Sequence, residues 1–365
     1  MDTRARPALR LRRRNRRAGG DAIVARRTAP TVTRRCWRRV LLAALIVPAA
    51  ATPALGADRA FEIASEHLDC RYSTADRSAE SSAAETSGPL EGVLLPDNDV
   101  FRPLLADQRE PRFYADYRRI HFNSDSAVLA EGRGRSINAA LVALGGAFGI
   151  WGLRQPRGCD GLQVSLFGVA LSQFNLDTPE LDLLNTDYLV GPEVTLRRGR
   201  WSGRVRFYHQ SSHLGDKFLV NYGLANGVQR ENLSFEILDV LGSVEDTWWR
   251  VFAGGGLVVL NSSTRHLTST PAFIQWGFEL RGPVWEPWDW LKNTRLRPVL
   301  GGNFSSVQAI GWTPNGSVSG GLEWASPGGA HRVRLLVEYQ RAAVLFSQFF
   351  FERTQDFGAQ LQFEF

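Results

Sequence analysis

The sequence predicts an all-β fold, an antiparallel transmembrane β-barrel of about twelve strands. Three observations support this prediction. Short stretches of alternating apolar and polar residues recur from about residue 112 onward, the connections between them alternate in length, and the chain ends in a strand-like stretch that closes on Phe365. In such barrels the apolar face of each strand contacts lipid and the polar face lines the lumen. We therefore expect short periplasmic turns at one end and long outer loops at the other.

The alternation is clearest in HRVRLLVEYQ (331–340), FIQWGFELRG (273–282) and FGAQLQFEF (357–365). Successive side chains of a strand point to opposite faces, so each stretch presents one apolar face. Twelve candidate strands meet this criterion, at 112–120, 137–153, 161–174, 187–198, 200–212, 231–241, 247–260, 272–281, 296–306, 317–326, 331–342 and 356–365.

Connection lengths distinguish the two ends of the barrel. The connections after the even-numbered predicted strands are mostly tight, namely RQPRGCD, RRGR, SVEDT and SPGGA. Those after the odd-numbered strands are long, which is typical of outer loops. One connection on the short side is also long, GPVWEPWDWLKNTR (282–295), and its three tryptophans suit an anchor at the membrane interface.

The first 57 residues resemble a basic leader followed by a secretory signal. Residues 1–39 contain 14 of the 43 Lys+Arg and 2 of the 37 Asp+Glu, which leaves 29 basic and 35 acidic residues in the rest. The positive charge therefore belongs to the leader, and we expect no nucleic-acid partner. An apolar stretch at 40–58 ends in small residues, so cleavage near Ala57 and location in the outer membrane of a Gram-negative cell are predicted.

These features divide the chain into three parts. Residues 1–57 form the leader and signal peptide, 58–100 a flexible periplasmic segment of low complexity, and 101–365 the barrel. Export would allow a disulfide between Cys70 and Cys159, and two unpaired thiols remain an open alternative.

Two stretches resemble a known family. FRPLLADQREPRF (101–113) and YHQSSHLGDKF (208–218) are similar to segments of bacterial domain-of-unknown-function family 1207, over roughly residues 96–365. The resemblance implies an exported, barrel-like protein and implies no activity.

YHQSSHLGDKF contains the candidate catalytic residues. Alternation along the fifth predicted strand places His209, Ser211 and His213 on the face that includes Trp201 and Phe207. These side chains are expected to face lipid near the outer leaflet. A histidine and a serine two residues apart on one face form a base–nucleophile arrangement.

The His-x-Ser spacing is similar to that of outer-membrane lipid A 3-O-deacylases, which implies that His209 is the base and Ser211 the nucleophile. Those enzymes have a smaller barrel, and an asparagine follows their serine where this chain has Ser212. The orienting carboxylate is not identified; Asp216 and Glu231 are candidates by proximity.

Simpler interpretations of the same stretch stay open. The serines can hydrogen-bond a loop backbone, and Leu214-Gly215-Asp216 can form a turn at the strand end. A histidine at the membrane interface could instead bind lipid phosphate, and His213 and Asp216 are candidate binding residues. A metal site is not expected, because His209 and His213 are roughly 13 Å apart along a strand.

The opposite strand face predicts a charged lumen. Arg204 and Arg206 lie beside Tyr208 on this face. Other strands are expected to add Glu279, Arg281, Arg332, Arg334 and Glu338. Such a lining fits a selective pore, a small-ligand cavity, or a plug of salt-bridged side chains.

The leading functional hypothesis is a non-enzymatic outer-membrane barrel, structural or a narrow channel. The alternative is an outer-leaflet lipid hydrolase that uses His209 and Ser211. Expected partners are outer-membrane lipids or lipopolysaccharide, and barrel-assembly machinery that contacts the C-terminal strand ending at Phe365. No cofactor motif is found, since the glycine run 254–256 lies inside a predicted strand.

Overall fold

A computed structural model describes ten stretches of the chain, which together contain every predicted strand except the first residues of one. The described residues are 89–96, 99–123, 135–155, 160–220, 233–262, 271–285, 295–326, 331–343, 347–349 and 352–365. The predicted signal peptide, Cys70, Cys159 and Glu231 lie outside them. The predictions that concern those residues therefore stay predictions.

Twelve antiparallel strands close into a barrel, as the sequence predicts. Their bounds are β2 Phe113–Phe122, β3 Ser136–Arg154, β4 Gly161–Asn175, β5 Leu183–Arg198, β6 Trp201–Leu214, β7 Leu233–Glu245, β8 Trp249–Asn261, β9 Ala272–Arg281, β10 Arg295–Val307, β11 Thr313–Ala325, β12 Arg332–Ala343 and β13 Arg353–Glu364. Each strand pairs with its sequence neighbours, and β13 pairs with β2 to complete the ring. Closure leaves no long free edge that could pair with another chain. Among the described residues, no helix is long and apolar enough to cross a membrane.

A short strand, β1 (Glu91–Leu94), precedes the barrel and has no counterpart among the predicted strands. It pairs with the end of β3, where Glu91 lies opposite Arg154. The neighbouring strand β2 begins only at Phe113, so the end of β3 would otherwise lack a partner on that side. β1 satisfies those backbone groups and directs the chain toward the barrel.

The outer wall is apolar over most of its height. Along β6 the outward side chains include Trp201, Val205 and Phe207, which are 67%, 39% and 46% exposed. The same alternation continues on β12, with Leu335 and Val337 about half exposed. This band matches the apolar surface that a barrel presents to lipid acyl chains.

Residues 99–112 cross the inside of the barrel, and we call this segment the lumen plug. Its apolar side chains Phe101 and Leu104 are buried. The backbone of the plug bonds to several strands: the Leu105 amide donates to Glu279 Oε1 at 2.8 Å, and Ser317 Oγ donates to the Ala106 carbonyl at 2.7 Å. The plug is therefore fixed to different strands of the wall.

Charged side chains of the plug and wall neutralise one another. Glu245 on β7 accepts a hydrogen bond from Arg102 of the plug and forms an ion pair with Arg197 of β5. The Arg250 guanidinium donates to the Arg102 carbonyl at 2.9 Å and stacks 4.4 Å from the Phe101 ring. All these groups are almost completely buried, and a buried charge is tolerated only when it is paired.

The outer part of the lumen is apolar, which differs from the expected polar lining. A continuous cluster of inward side chains there includes Ile120, Ile137, Phe167, Leu171, Leu233 and Phe235. A single helical turn, α1 (Asp216–Phe218), adds Phe218, whose ring lies 5.7 Å from that of Phe349. In the outer part of the lumen the inward side chains pack against one another and against Phe218 and Phe349. The strands therefore enclose a hydrophobic core there.

Removing the Glu245 carboxylate tests the plug–wall ion pairs. In Glu245→Gln the guanidiniums of Arg102 and Arg197 stay buried without their anion. We expect the free energy of unfolding to fall by about 3–5 kcal/mol. Urea unfolding of the refolded barrel in detergent micelles, followed by tryptophan fluorescence, measures it.

The adjacent residue provides a matched control. Asp246 pairs with Arg200 at 2.9 Å, with both side chains about half exposed. Exposed ion pairs contribute about 1 kcal/mol or less to stability. The free energy of unfolding of Asp246→Asn should therefore be close to that of the unaltered chain. Equal losses in both variants would contradict the structural role assigned to Glu245.

The lumen plug also predicts the electrical behaviour of the barrel. In a planar lipid bilayer the intact chain should give no steady conductance, because the plug crosses the lumen and bonds to several strands of the wall. A chain that lacks residues 99–112 should conduct ions, provided that heat-modifiable migration in gels shows that it has folded. Steady conductance by the intact chain would contradict this account.

Candidate active site on the outer wall

Strand β6 places the predicted catalytic residues on the outer wall. The side chains of His209, Ser211 and His213 alternate with the inward, buried side chains of Gln210 and Ser212. The apolar residues that precede them on the same face fix the orientation of the strand, because a slip of one residue would turn Phe207 inward.

His209 lies where the apolar band ends. It lies eight positions after Trp201, the first residue of β6. At about 3.3 Å per residue and a tilt of about 40°, this corresponds to roughly 20 Å along the barrel axis. Every outward residue of β6 below His209 is apolar or glycine, and His209, Ser211 and His213 follow above it. The change in polarity is expected at the headgroup level of the outer leaflet.

Glu236 on β7 lies directly opposite His209, and this contact defines the candidate site. His209 Nδ1 and Glu236 Oε1 are 2.8 Å apart, and the two side chains are 39% and 30% exposed. The same row continues to Val190 on β5 and Leu260 on β8, both exposed and apolar. A carboxylate-oriented histidine therefore sits between two apolar neighbours on the lipid-facing wall.

Glu236 could not be assigned to the site from the sequence, because its position depends on the pairing of β6 with β7. The connection between these strands cannot be read as a tight turn, so the register cannot be counted from the sequence. The segment EILD contains Glu236 and Asp239 on opposite faces, and either could have been the inward one. In the structure Asp239 faces the lumen and Glu236 faces outward. Asp216 is exposed in α1 and Glu231 is not described, so neither candidate is placed beside His209.

Ser211 stands two residues above His209 on the same face. Same-face neighbours in a strand are about 6.6 Å apart at their Cα atoms, so rotation of the two side chains can bring Oγ and the imidazole into hydrogen-bond range. Ser211 is in register with Tyr188 on β5 and Ser234 on β7. Its hydroxyl is thus flanked by two further hydroxyl-bearing residues.

The remaining predicted binding residues lie elsewhere. The imidazole of His213 packs edge-on against the Tyr188 ring, with centroids 5.9 Å apart. Asp216 belongs to α1 at the top of the strand. Within the described stretches, no group of three or more His, Cys, Asp or Glu residues could hold a metal ion.

A second histidine–serine pair occurs on another part of the wall. His121 Nδ1 and Ser136 Oγ, on the outward faces of β2 and β3, are 2.9 Å apart. In the described part of the chain no carboxylate bonds His121. This pair therefore has a candidate base and hydroxyl without the third group that orients His209.

Arg204 and Arg206 are turned inward and bind the lumen plug. Arg204 Nη1 and Arg206 Nη2 lie 2.6 and 3.0 Å from Glu110 Oε1, and Arg206 also pairs with Glu193. Burial raises the pKa of the Glu110 carboxyl, but the Arg204 and Arg206 guanidiniums outweigh burial and lower the pKa to about 2. Both arginines thus hold a buried, ionised plug residue.

A cavity remains between the plug and the outer end of the barrel. Its volume is about 290 Å³. The floor includes Asp107 and Arg109 of the plug, and the walls include Phe167, Phe235 and Tyr208. Arg109 Nη2 donates to Gln210 Oε1 at 2.5 Å, which ties the floor to β6 on the side opposite to His209.

The barrel is similar to several solved outer-membrane proteins. Outer membrane phospholipase A from Escherichia coli is 15% identical, with a TM-score of 0.43, over 72% of this chain and 92% of that chain. The transport unit of the autotransporter AIDA-I from Escherichia coli is 12% identical, with a TM-score of 0.40, over 74% and 94%. The beta domain of the Bordetella autotransporter BrkA is 10% identical, with a TM-score of 0.35, over 70% and 99%.

Sequence comparison identifies the family. None of the curated proteins with which the chain was compared matches it. The family described as "Protein of unknown function (DUF1207)" matches residues 61–365, which include the whole barrel, the lumen plug and the wall that carries His209, Ser211 and Glu236. The chain, an outer-membrane-type β-barrel closed by twelve strands, belongs to this family.

Proposed function

We propose that the protein is an outer-membrane hydrolase that cleaves an acyl ester of a lipid in the outer leaflet. The observation that carries this proposal is the 2.8 Å contact between His209 Nδ1 and Glu236 Oε1 on the lipid-facing wall, with Ser211 on the same face. Ionisable groups in contact with the apolar part of a membrane cost free energy, so a residue of this kind on the lipid-facing wall is a candidate functional residue. Nucleophile, base and orienting carboxylate are the three groups that such chemistry requires.

Each residue has a defined part in the proposed reaction. Glu236 accepts a hydrogen bond from Nδ1–H of His209, which leaves Nε2 unprotonated and able to act as a base. Ser211 Oγ attacks the ester carbonyl carbon while Nε2 takes its proton. That proton then passes to the alcohol oxygen as the ester bond breaks, and the acyl group stays on Ser211. Water, deprotonated by the same imidazole, releases the fatty acid and restores the serine.

The wall around the site suits a lipid ester. Below and beside His209, the outward side chains of Phe207, Val190 and Leu238 would contact acyl chains. Ser211 would lie at the ester level, where the apolar band ends. The hydroxyls of Tyr188 and Ser234 flank Ser211 and could donate to the oxyanion. This arrangement supports a substrate that approaches sideways from the membrane rather than through the lumen.

The lumen gives less support to the channel hypothesis. The lumen plug bonds to the wall, and Arg204 and Arg206, which could have lined a selective pore, pair with Glu110 and Glu193. The plugged barrel is therefore proposed as a rigid scaffold for the outer wall.

Location in the outer membrane, export through a cleaved signal near Ala57 and assembly through the last strand are parts of the same proposal. Phe365 is 71% exposed at the end of the chain, and its ring packs edge-on against Phe113 at 5.6 Å. In the folded barrel, with β13 already paired with β2, this aromatic side chain is still accessible to an assembly partner.

Serine labelling and lipid mass spectrometry test the proposal directly, because neither measurement requires that the substrate be identified. The purified protein should react with a fluorophosphonate probe at Ser211, and in mixed micelles it should release fatty acid from a phospholipid or from lipid A. We expect Ser211→Ala to lose labelling and at least about 10³-fold of the rate, and Glu236→Gln to lose about 10²- to 10⁴-fold.

Ser136→Ala is the matched control. It removes an outward hydroxyl that already contacts a histidine, and it should leave labelling and rate unchanged. Absence of both labelling and fatty-acid release from the folded, unaltered protein would refute the proposal. Release that persists in Ser211→Ala would place the activity elsewhere.

A further inference from the structure

A second polar feature of the outer wall lies on β12, β13 and β2. Three arginines, Arg119, Arg341 and Arg353, project outward there at the end that carries the long loops, and all are exposed. We call them the arginine sector. Three strands separate Arg119 on β2 from His209 on β6, so the two features face different parts of the membrane.

The arginine sector differs from the arginines of the lumen in lacking acidic partners. Inside the barrel, the one carboxylate of Glu323 pairs with three arginines, namely Arg297, Arg332 and Arg334. In the part of the chain that the structure describes, none of the three sector arginines forms an ion pair. The nearby carboxylate Asp177 instead accepts from the backbone amide and the side chain of Asn138, at 2.9 and 2.7 Å.

Strand register brings the sector arginines close together. Arg341 lies opposite Gln355, and Arg353 is two residues away from Gln355 on the same face of β13. Diagonal neighbours of this kind are about 7–8 Å apart, within reach of long side chains. On the other side, Gln355 is in register with His121, two residues above Arg119. The three guanidiniums therefore span a surface about three strands wide.

The sector begins where the apolar band of this wall ends. Leu335, Val337 and Tyr339 precede Arg341 on the outward face of β12, and Phe357 lies just below Gln355 on β13. Arginines in the middle of the apolar band of a barrel destabilise it far more than arginines near the membrane interface. Arg341 and Arg353 are thus at the depth expected for lipid headgroups, and Arg119, in register with Phe357, lies at the upper edge of the apolar band.

Neutral hydrogen-bonding groups accompany the arginines. Arg119 Nη1 donates to Asn138 Oδ1 at 3.1 Å, and Tyr117 Oη donates to the same oxygen at 3.0 Å. Arg353 Nη2 donates to Thr313 Oγ1 at 2.7 Å, and Gln355 Nε2 to Asn123 Oδ1 at 3.3 Å. Guanidiniums bind phosphate through charge-assisted, often paired hydrogen bonds, and amides and hydroxyls can hydrogen-bond the hydroxyl groups of a sugar.

We propose that the arginine sector binds the phosphate groups of a phosphorylated glycolipid in the outer leaflet. Three cations without a carboxylate partner, spread across three strands, can contact more than one phosphate, and the neighbouring amides can contact sugar. A glycerophospholipid with one phosphate would leave part of the sector without an anion. The inference rests on the outer-membrane location proposed above and does not depend on hydrolysis at Ser211.

Lipid titration of the purified protein tests this binding site. The experiment uses Ser211→Ala as background, so that no lipid is consumed, and native mass spectrometry to count bound lipid. The probes are bisphosphorylated lipid A, dephosphorylated lipid A and phosphatidylglycerol. We expect bisphosphorylated lipid A to bind most tightly, and Arg341→Gln with Arg353→Gln to weaken it at least about tenfold.

A control variant that removes the same number of positive charges can be made at the other end of the barrel. Arg198 and Arg200 lie at the tight β5–β6 turn, and both are exposed. Their double change to glutamine should alter lipid A binding less than about twofold, because the turn lies at the opposite end of the barrel from the arginine sector and Arg200 already pairs with Asp246.

Three results would overturn the inference. Unchanged lipid A binding by the folded Arg341→Gln, Arg353→Gln variant would show that the arginine sector is not the binding site. Equal weakening in the control would show that net charge, not this surface, attracts the lipid. Phosphatidylglycerol that binds as tightly as lipid A would exclude a glycolipid-specific site.

Discussion

Pairing of the buried charges is the constraint on which this barrel depends. The inward face carries buried arginines on β5, β6, β8, β10 and β12. Without carboxylates beside them, these arginines would repel one another in the poorly hydrated interior. Carboxylates of the wall, such as Glu245 and Glu323, neutralise some of them, and Glu110 of the lumen plug neutralises Arg204 and Arg206. The plug is therefore a component of the electrostatic balance as well as a filler of space.

The ion pairs and packing contacts occupy the inward face, and the proposed active site lies on the outward face. Because successive residues of a strand point in opposite directions, β6 can bind Glu110 through Arg204 and still present His209 and Ser211 to lipid. A rigid, plugged interior holds β6 and β7 in one register, and that register sets the contact between His209 and Glu236. Rigid support of this kind is what a catalytic arrangement on a membrane surface needs.

Several parts of the structure were predictable from local pattern. All twelve strands of the barrel follow from alternation, and their predicted bounds differ from the observed ones by at most four residues. Short strands of the β1 type give no such signal, since EGVL is too brief to alternate clearly. The apolar outer half of the lumen was also unexpected, because alternation shows that two faces differ and does not show what each face contacts.

The sequence by itself determined the strands, the closure of an even-numbered antiparallel barrel and the outward placement of His209 and Ser211, because these depend on a two-residue period and on connection length. Only the tertiary structure decided that Glu236 is the partner of His209, that residues 99–112 enter the lumen, and that Arg119, Arg341 and Arg353 share one surface. Each of these depends on strand register or on a path through the interior, which join residues that are far apart in the chain. Local sequence does not encode such pairings, because they are set by which arrangement buries the most apolar surface while leaving every buried charge paired.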